Sequence, residues 1–401
     1  MSCSAAVQPD CRNCGSLTDG IGRCHSYRRN SIRFWVLDVL FGTLLGVLVV
    51  GFHESLIRDS WPFWWSFLAS MFIVMILQSL LSFFIGNLIG SMEAMIPGGF
   101  IGMGAMIVAY LPLVNRGLMY SFGAATGLVI SMKFVLMDAR FRSISIEKFP
   151  VRRLDHKVSR PGFAFRTPPW LRDLQDIAGA KRRAYAQRML FANMGEQVLF
   201  VAAGSGLNFA NFPPHRNIVA IDVNVEALAR ARGRSESYDG TLRLMEADVQ
   251  KLPFEDASFD TVATASTFCS VPNPAQGLSE LYRVLKPGGR LLMLEHVRSG
   301  NHLIAWEQDV MNLAMRYLGS DVNRDTVGPV RDAGFVIDRI RSAYLDVFLM
   351  IDGHRPSVMD GQASRREAHP IAPAQEGDVF SDLQENTRKS SSEFYLASAR
   401  R

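Results

Sequence analysis

Two short stretches of this chain combine glycine and acidic residues at a spacing that can bind a ligand. The apolar run Val198–Val201 is followed by the turn Gly204-Ser205-Gly206. Glycines after a buried strand let a ligand approach bare backbone at the start of a helix. About 20 residues later a second apolar run ends on Asp222, with Asn224 close behind. An acid at that spacing can accept hydrogen bonds from both hydroxyls of a ribose.

The glycine loop narrows the choice of ligand. A nicotinamide-dependent enzyme usually carries a fuller Gly-x-Gly-x-x-Gly pattern that seats a pyrophosphate. Here Ala202 occupies the first position of that loop and Phe209 a later one. The pattern favours a nucleoside without a pyrophosphate, and S-adenosylmethionine fits because it brings a ribose, an amino-acid tail and a reactive sulfonium. A turn that serves only tight packing is the alternative.

The residues around the turn alternate between strand and helix patterns. This alternation predicts a Rossmann-like α/β domain whose parallel sheet carries helices on both faces. The predicted strands are 197–201, 217–221, 242–246, 261–265, 289–295 and 335–341. Ligands bind at the carboxyl edge of such a sheet. The residues expected at that edge are Gly204, Asp222, Asp248, Thr264 and Glu295.

From residue 198 onward the chain resembles the class I S-adenosylmethionine-dependent methyltransferases. The segment 246–254 looks like the adenine-binding part of that family, and 281–289 resembles the turn before its fifth strand. Residues 268–274 and 294–299 resemble the branch of quinone-, phospholipid- and membrane-associated thiol methyltransferases. The family usually has an acid where this chain has Phe200 and a glycine where it has Ala202. The contact of that acid with the methionine amino group is therefore not expected here.

The resemblance implies roles for individual residues. The turn would hold the methionine and ribose portions, Asp222 would bind the ribose hydroxyls, and Asp248 would bind the adenine amino group. Val249 would pack on the adenine ring. The complete set of implied cofactor-binding residues is Gly204, Ser205, Gly206, Asp222, Asn224, Asp248, Val249, Thr264 and Ser266.

Two residues at the end of the predicted fifth strand are candidates for chemistry on the acceptor. His296 follows Glu295 and could take a proton from a thiol, phenol or amine. A neutral imidazole suffices for a thiol, whose ordinary pKa is about 8.5. Alternatively, Glu295 and His296 only fix the neighbouring helices by hydrogen bonds.

The first 30 residues carry a possible metal site. Cys11, Cys14, Cys24 and His25 could supply four ligands to zinc or another soft metal. The alternative is a reduced, disordered tail. The cysteine pattern is not that of a secreted disulfide framework, and we predict no removable signal peptide.

Four apolar stretches predict a transmembrane region, because each approaches the roughly 20 residues that a spanning helix needs. They are 34–52, 63–88, 96–114 and 117–137. Basic residues flank the region on both sides and are scarce between the stretches. The positive-inside rule then places both termini of an integral cell-membrane protein in the cytoplasm.

These features predict five segments. They are a cysteine-containing tail (1–30), a four-helix transmembrane region (31–137), a basic linker (138–175), a methyltransferase domain (176–352) and a disordered tail (353–401). The leading hypothesis is a membrane-anchored methyltransferase for a small or lipophilic acceptor, with a lean towards a thiol or chalcogenide. The alternatives are a phospholipid N-methyltransferase, a quinone-precursor methyltransferase, a soft-metal transporter or sensor with a regulatory methyltransferase-like module, and a non-catalytic fold. We expect no nucleic-acid partner.

Overall fold

The computed structural model describes most of the chain between residues 17 and 357. The described ranges are 17–18, 24–25, 27–56, 62–74, 81, 91–110, 115–142, 169–316 and 321–357. Most of the predicted linker and nearly all of the predicted C-terminal tail lie outside them. Two short strands, β1 (Leu17–Thr18) and β2 (Cys24–His25), pair antiparallel ahead of the first helix.

Four apolar helices precede the α/β domain. They are α1 (Tyr27–Leu56), α2 (Phe63–Val74), α3 (Ser91–Ala109) and α4 (Arg116–Arg142). Helices α1 and α4 approach so closely that a Cβ atom on Gly46 would overlap the backbone of Gly123, and one on Gly127 would overlap Gly42. Small residues permit such contacts between apolar helices.

Two of the described helices are long and apolar enough to cross a membrane. They are Ile32–Ser55, with 24 residues, and Gly117–Arg142, with 26. The other two, Phe63–Val74 and Glu93–Ala109, are shorter. The prediction of four spans is therefore supported for two of them. Apolar composition continues through residue 114, but the α3 helix ends at Ala109, and most of 75–90 lies outside the described residues.

The α/β domain is built on a seven-stranded sheet with the order β5-β4-β3-β6-β7-β9-β8. Strands β3 to β7 run parallel, and β9 pairs antiparallel with both β7 and β8. The bounds are β3 Gln197–Val201, β4 Asn217–Asp222, β5 Thr241–Glu246, β6 Phe259–Ala265, β7 Leu285–His296, β8 Val336–Tyr344 and β9 Phe348–His354. The predicted parallel sheet is confirmed for β3 to β7, and the strand β9, which the sequence analysis did not identify, is antiparallel.

Helices cover both faces of the sheet. Along the central strand β3, Val198 and Phe200 face one hydrophobic cluster while Leu199 and Val201 face another. All four are nearly inaccessible to solvent, as expected for a parallel strand buried on both sides. The helices of this domain are α5 Pro169–Phe191, α6 Val225–Ser235, α7 Pro274–Val284, α8 His302–Met315 and α9 Val327–Asp332.

Three buried carboxylates join the apolar helices to the α/β domain. One lies in the first half of α1, one in the first turn of α3 and one near the end of α4, and all three line the same small cavity. The pairs are Asp38 with Arg182 (2.7 Å), Glu93 with Arg183, and Asp138 with the backbone N–H of Leu345 (2.8 Å). We call these three contacts the carboxylate junction.

Candidate active site

The turn after β3 forms one wall of a cleft at the carboxyl edge of the sheet. Gly204 and Gly206 have φ values of 54° and 83°, in the left-handed region that glycine adopts without strain. A Cβ atom on Gly204 would meet nothing within 4 Å, whereas one on Gly206 would lie 2.7 Å from the ring of Phe209. The backbone at Gly204 is therefore open to a ligand, and Gly206 is required for packing.

Asp222 closes β4 and lies beside the glycine turn. Its two carboxylate oxygens accept hydrogen bonds from the backbone N–H groups of Gly204 and Asn224, both at 2.8 Å. These bonds hold the carboxylate at the cleft, which Asp222 lines. The side chain of Asn224 is occupied as the N-cap of α6, because its oxygen accepts from the N–H of Ala227 at 3.0 Å.

The predicted adenine-side residues follow β5. Asp248 lines the cleft, and its carboxylate accepts from the backbone N–H of Gln250 at 2.8 Å. Val249 also lines the cleft and packs in the hydrophobic cluster that contains Phe268. The geometry thus offers an anchored acid next to an apolar surface, which suits the edge and face of a base.

Thr264 and Glu295 lie beneath the cleft and do not line it. Thr264 donates a hydrogen bond of 2.6 Å to Glu295, which also accepts from the backbone N–H groups of Thr267 and Phe268. The loop fixed in this way begins with Ser266, which lines the cleft at a φ of 54°. Glu295 therefore positions a loop, whereas the alternative interpretation of the sequence had Glu295 and His296 fix the neighbouring helices. Burial raises the pKa of Glu295 to about 7.

His296 follows Glu295 on β7, is buried and does not line the cleft. Its ring packs edge-on against Phe348 with a centroid separation of 5.0 Å, and neither ring nitrogen has a hydrogen-bond partner among the described residues. Desolvation, and to a smaller extent the nearby charge of Arg183, lower the pKa of His296 to about 3. The imidazole is consequently neutral at ordinary pH and only weakly basic.

Helix α5 supplies a further wall of the cleft through Ala180, Arg183 and Gln187. The cleft has a volume of about 490 Å³. Pockets of roughly 300–1,000 Å³ hold drug-sized ligands. Sequence reasoning did not name these α5 residues, because the helical pattern alone does not say which turn faces the cleft.

Phe200 lies outside the cleft. Its ring is fully buried and packs edge-on against Phe191, Phe209 and Phe212. The chain thus replaces a polar contact by an aromatic cluster behind β3. That cluster leaves the glycine turn and Asp222 in place.

The predicted metal ligands are not tested by the geometry. Cys11 and Cys14 lie outside the described residues, as do the side chains of Cys24 and His25. Among the described residues, no group of three or more His, Cys, Asp or Glu side chains is placed to hold a metal ion. The zinc prediction therefore has no structural support.

Comparison with known families gives this cleft an identity. A family model described as a methyltransferase domain matches residues 199–293, which contain the glycine turn, Asp222 and Asp248. The chain contains a class I methyltransferase domain. This type of domain uses S-adenosylmethionine, so the predicted cofactor is supported.

Curated relatives match the methyltransferase domain over part of their length. The ubiquinone/menaquinone biosynthesis C-methyltransferase of Hahella chejuensis is 34% identical over 139 residues, which cover 33% of this chain and 56% of the relative. The demethylmenaquinone methyltransferase of Deinococcus radiodurans is 39% identical over 117 residues, covering 28% and 48%. The chain spans about half the length of these relatives.

Solved structures match the methyltransferase domain as well. An O-methyltransferase family protein of Burkholderia thailandensis aligns with a TM-score of 0.41 at 19% identity, covering 48% of this chain and 62% of that one.

Ala202 gives a test of strain in the methyltransferase domain. It has a φ of 57°, which costs an L-residue roughly 1–2 kcal/mol. Glycine removes that cost but adds about 0.4–1 kcal/mol of unfolded-state entropy. We expect Ala202→Gly to raise the free energy of unfolding by up to about 1 kcal/mol in denaturant titrations. The buried neighbour Ala203 has no left-handed backbone, so Ala203→Gly is expected to lower it by about 1 kcal/mol. If both variants lose the same free energy of unfolding, the backbone at Ala202 is not strained.

The pH dependence of stability tests whether Glu295 is buried as the structure shows. The folded pKa of about 7 lies above the ordinary value of 4.5. The unfolded chain therefore releases this proton first, and Glu295 lowers stability progressively between pH 4.5 and 7. We expect the unfolding free energy of Glu295→Gln, relative to the wild type, to rise across this window by up to about 3 kcal/mol. The glutamine amide of this variant can still form hydrogen bonds with Thr264 and with the loop. A difference that is independent of pH would show that Glu295 ionises normally.

Proposed function

We propose that this chain is a membrane-attached, S-adenosylmethionine-dependent methyltransferase that acts on a lipophilic, aromatic acceptor of the quinone-precursor class. The observation that carries the proposal is the cleft in which Gly204 presents open backbone beside the anchored carboxylate of Asp222. It lies within the segment that matches the methyltransferase family.

The residues that line the cleft fit the cofactor. Each Asp222 oxygen accepts one backbone hydrogen bond and keeps a further lone pair for a ribose hydroxyl. Asp248 is fixed where an adenine amino group can donate to it, and Val249 offers an apolar face for the ring. We propose that the turn Gly204–Gly206 and Ser266 hold the methionine portion. Asn224 and Thr264 act indirectly, through the cap of α6 and through Glu295.

When bound, the cofactor supplies a methyl group activated by a positively charged sulfur. The protein must bring the acceptor in line with it and keep water away, which can account for several kcal/mol of the barrier. Helix α5 covers the cleft with Ala180, Arg183 and Gln187. Glu295 fixes the loop that begins at Ser266, so the floor of the cleft is rigid when the acceptor arrives.

The acceptor class is proposed from the relatives. Two of them carry names from ubiquinone and menaquinone biosynthesis. A quinone precursor is membrane-soluble, and the helices Ile32–Ser55 and Gly117–Arg142 are long enough to hold the enzyme in the bilayer. Nothing in the comparisons or the described residues supports a thiol or chalcogenide acceptor or a metal transporter, and we do not propose these.

The orientation in the membrane follows from charge and from the carboxylate junction. Two spans leave both flanks on one side. Arginines lie at the ends of the spans on that side, at Arg33 at the start of the first and at Arg140 and Arg142 at the end of the second. All three junction carboxylates lie at that end. We propose that the methyltransferase domain and both termini face the cytoplasm.

His296 is proposed to contact the acceptor as a neutral hydrogen-bonding group. Its ring nitrogens are buried without a described partner, and Arg183, which stacks on Phe348, links its surroundings to the cleft. A neutral hydrogen bond is worth about 0.5–1.5 kcal/mol. His296→Phe is therefore expected to lower kcat/KM by about two- to tenfold while the Kd for S-adenosylmethionine stays constant. An unchanged kcat/KM would remove His296 from the acceptor site.

The proposal is tested with the full chain in lipid nanodiscs. Donor labelled in its methyl group would be offered with a demethylated naphthoquinol, phosphatidylethanolamine or a small thiol, and the products separated by chromatography. We expect label in the quinol and none from Asp222→Ala. Label in lipid or thiol alone would overturn the acceptor class. No labelled product, together with no cofactor binding by calorimetry, would overturn the activity.

A further inference from the structure

Helix α8 exposes a row of large apolar side chains and buries several polar ones. Leu303, Trp306 and Leu313 are 63%, 53% and 68% exposed. They recur at helical spacing on one face, with the half-buried Val310 between them. A helix on the surface of a soluble domain normally buries such a face.

The buried face of α8 is mixed, because the apolar Ile304 and Ala305 lie beside the polar Glu307, Gln308 and Asn312. Gln308 is fully buried, where its oxygen accepts from the N–H of Ser299 at 2.7 Å and its amide donates to the carbonyls of Val297 and Val322. Asn312 accepts from the N–H of Val322 at 2.9 Å. These bonds fix the rotation of α8 about its axis. The apolar residues therefore cannot turn inwards without breaking buried hydrogen bonds.

The position of α8 in the fold indicates what covers its apolar face. Glu307 packs against Gly99 of α3 so tightly that a Cβ atom on Gly99 would overlap the carboxylate. Gly99 lies beyond Glu93 on α3, roughly 9 Å further into the bundle than the carboxylate junction. Helix α8 thus lies against the apolar bundle rather than on the remote side of the sheet.

We propose that α8 is a membrane-surface helix whose Leu303–Trp306–Leu313 face contacts lipid at the boundary of headgroups and acyl chains. The inference rests on the proposed membrane attachment and adds a second contact with the bilayer outside the spanning helices. Tryptophan suits this depth because its ring is apolar and its N–H is polar. The contact holds the methyltransferase domain, with α8 following directly on β7, against the surface that supplies a lipid-soluble acceptor.

Spin labels on the full chain in nanodiscs test the proposal. Single cysteines at 303, 306 and 313, in a cysteine-free background that still binds S-adenosylmethionine, would carry a nitroxide. Collisions with oxygen, which concentrates in lipid, would be compared with those with a water-soluble nickel chelate. Val129, 65% exposed on α4, is the lipid reference, and the exposed Ser237 is the water reference. We expect all three α8 labels to favour oxygen by severalfold, as at 129.

Two results would overturn the proposal. One is a preference for nickel at 303, 306 and 313, as at 237. The other is spin–spin broadening that disappears on dilution with unlabelled protein, which would show that a second copy covers the face. The reference at 129 separates this failure from that of membrane attachment. If 129 also favours nickel, the bundle is not in lipid; if only the α8 labels do, the inference about α8 alone is wrong.

Discussion

Replacement of Arg182 by methionine is expected to lower the free energy of unfolding by about 3–5 kcal/mol, because it leaves a buried carboxylate without its partner. Arg182 donates two hydrogen bonds, of 2.8 and 2.7 Å, to Asp38, and both side chains are almost entirely buried. Its guanidinium also packs over the rings of Phe34 and Tyr344. Thermal and denaturant unfolding of the full chain in detergent would measure the loss.

Two comparison variants identify the origin of that loss. The double variant Asp38→Leu/Arg182→Met removes both charges, and buried pairs replaced in this way often lose little stability. We expect it to recover most of the deficit. Arg290→Met removes a more exposed pair with Asp352, and we expect a loss of at most about 1 kcal/mol. If the double variant is as unstable as Arg182→Met, packing of the arginine rather than its charge stabilises the junction.

Asp222→Ala is expected to weaken binding of S-adenosylmethionine at least about 100-fold. The carboxylate holds the N–H of Gly204 and that of Asn224, and its remaining lone pairs face the cleft. Hydrogen bonds to a charged group are worth about 1.5–3 kcal/mol each, so the loss of two bonds to ribose accounts for the effect. Calorimetry with the donor would measure the Kd.

The matched control is the acid that ends the neighbouring strand. Glu246 pairs in register with Asp222 on the adjacent strand, but its side chain is exposed and it does not line the cleft. Glu246→Ala should leave the Kd within about twofold, since surface substitutions away from a site usually change little. A similar loss in both variants would indicate a general effect of negative charge at this edge. A Kd that is unchanged in Asp222→Ala would remove the ribose contact.

The strands around the cofactor cleft could be predicted because their signals are local. β3 is a short apolar run followed by glycines, and its predicted bounds match Gln197–Val201. The strand β9, Phe348–His354, was missed although it pairs with β8, which ends only four residues before it, as well as with the distant β7. The three residues between β8 and β9 include no glycine or proline, so the sequence does not indicate that the chain changes direction there.

The positions of three predicted cofactor residues at the cleft could be predicted from the sequence, whereas the positions of Thr264 and Glu295 could not. Gly204, Asp222 and Asp248 follow strand ends, where topology alone brings them together. The direction of Thr264 and Glu295 depends on which face of each strand meets the loop after β6, and no spacing in the sequence states this. The exposure of the apolar side chains of α8 likewise depends on the three hydrogen bonds that Gln308 makes to backbone groups outside its own helix.

The carboxylate junction also has a consequence for biosynthesis. The partners of Asp38 and Asp138 lie 144 and 207 residues further along the chain. When α1 and α4 leave the ribosome, Asp38 has no partner and Asp138 has only Arg142 of its own helix, and an unpaired acid among apolar helices is costly. The bundle is thus completed only after the hairpin of β8 and β9 has been synthesised. Chains that stop before Leu345 should leave an incompletely assembled bundle that quality-control proteases recognise.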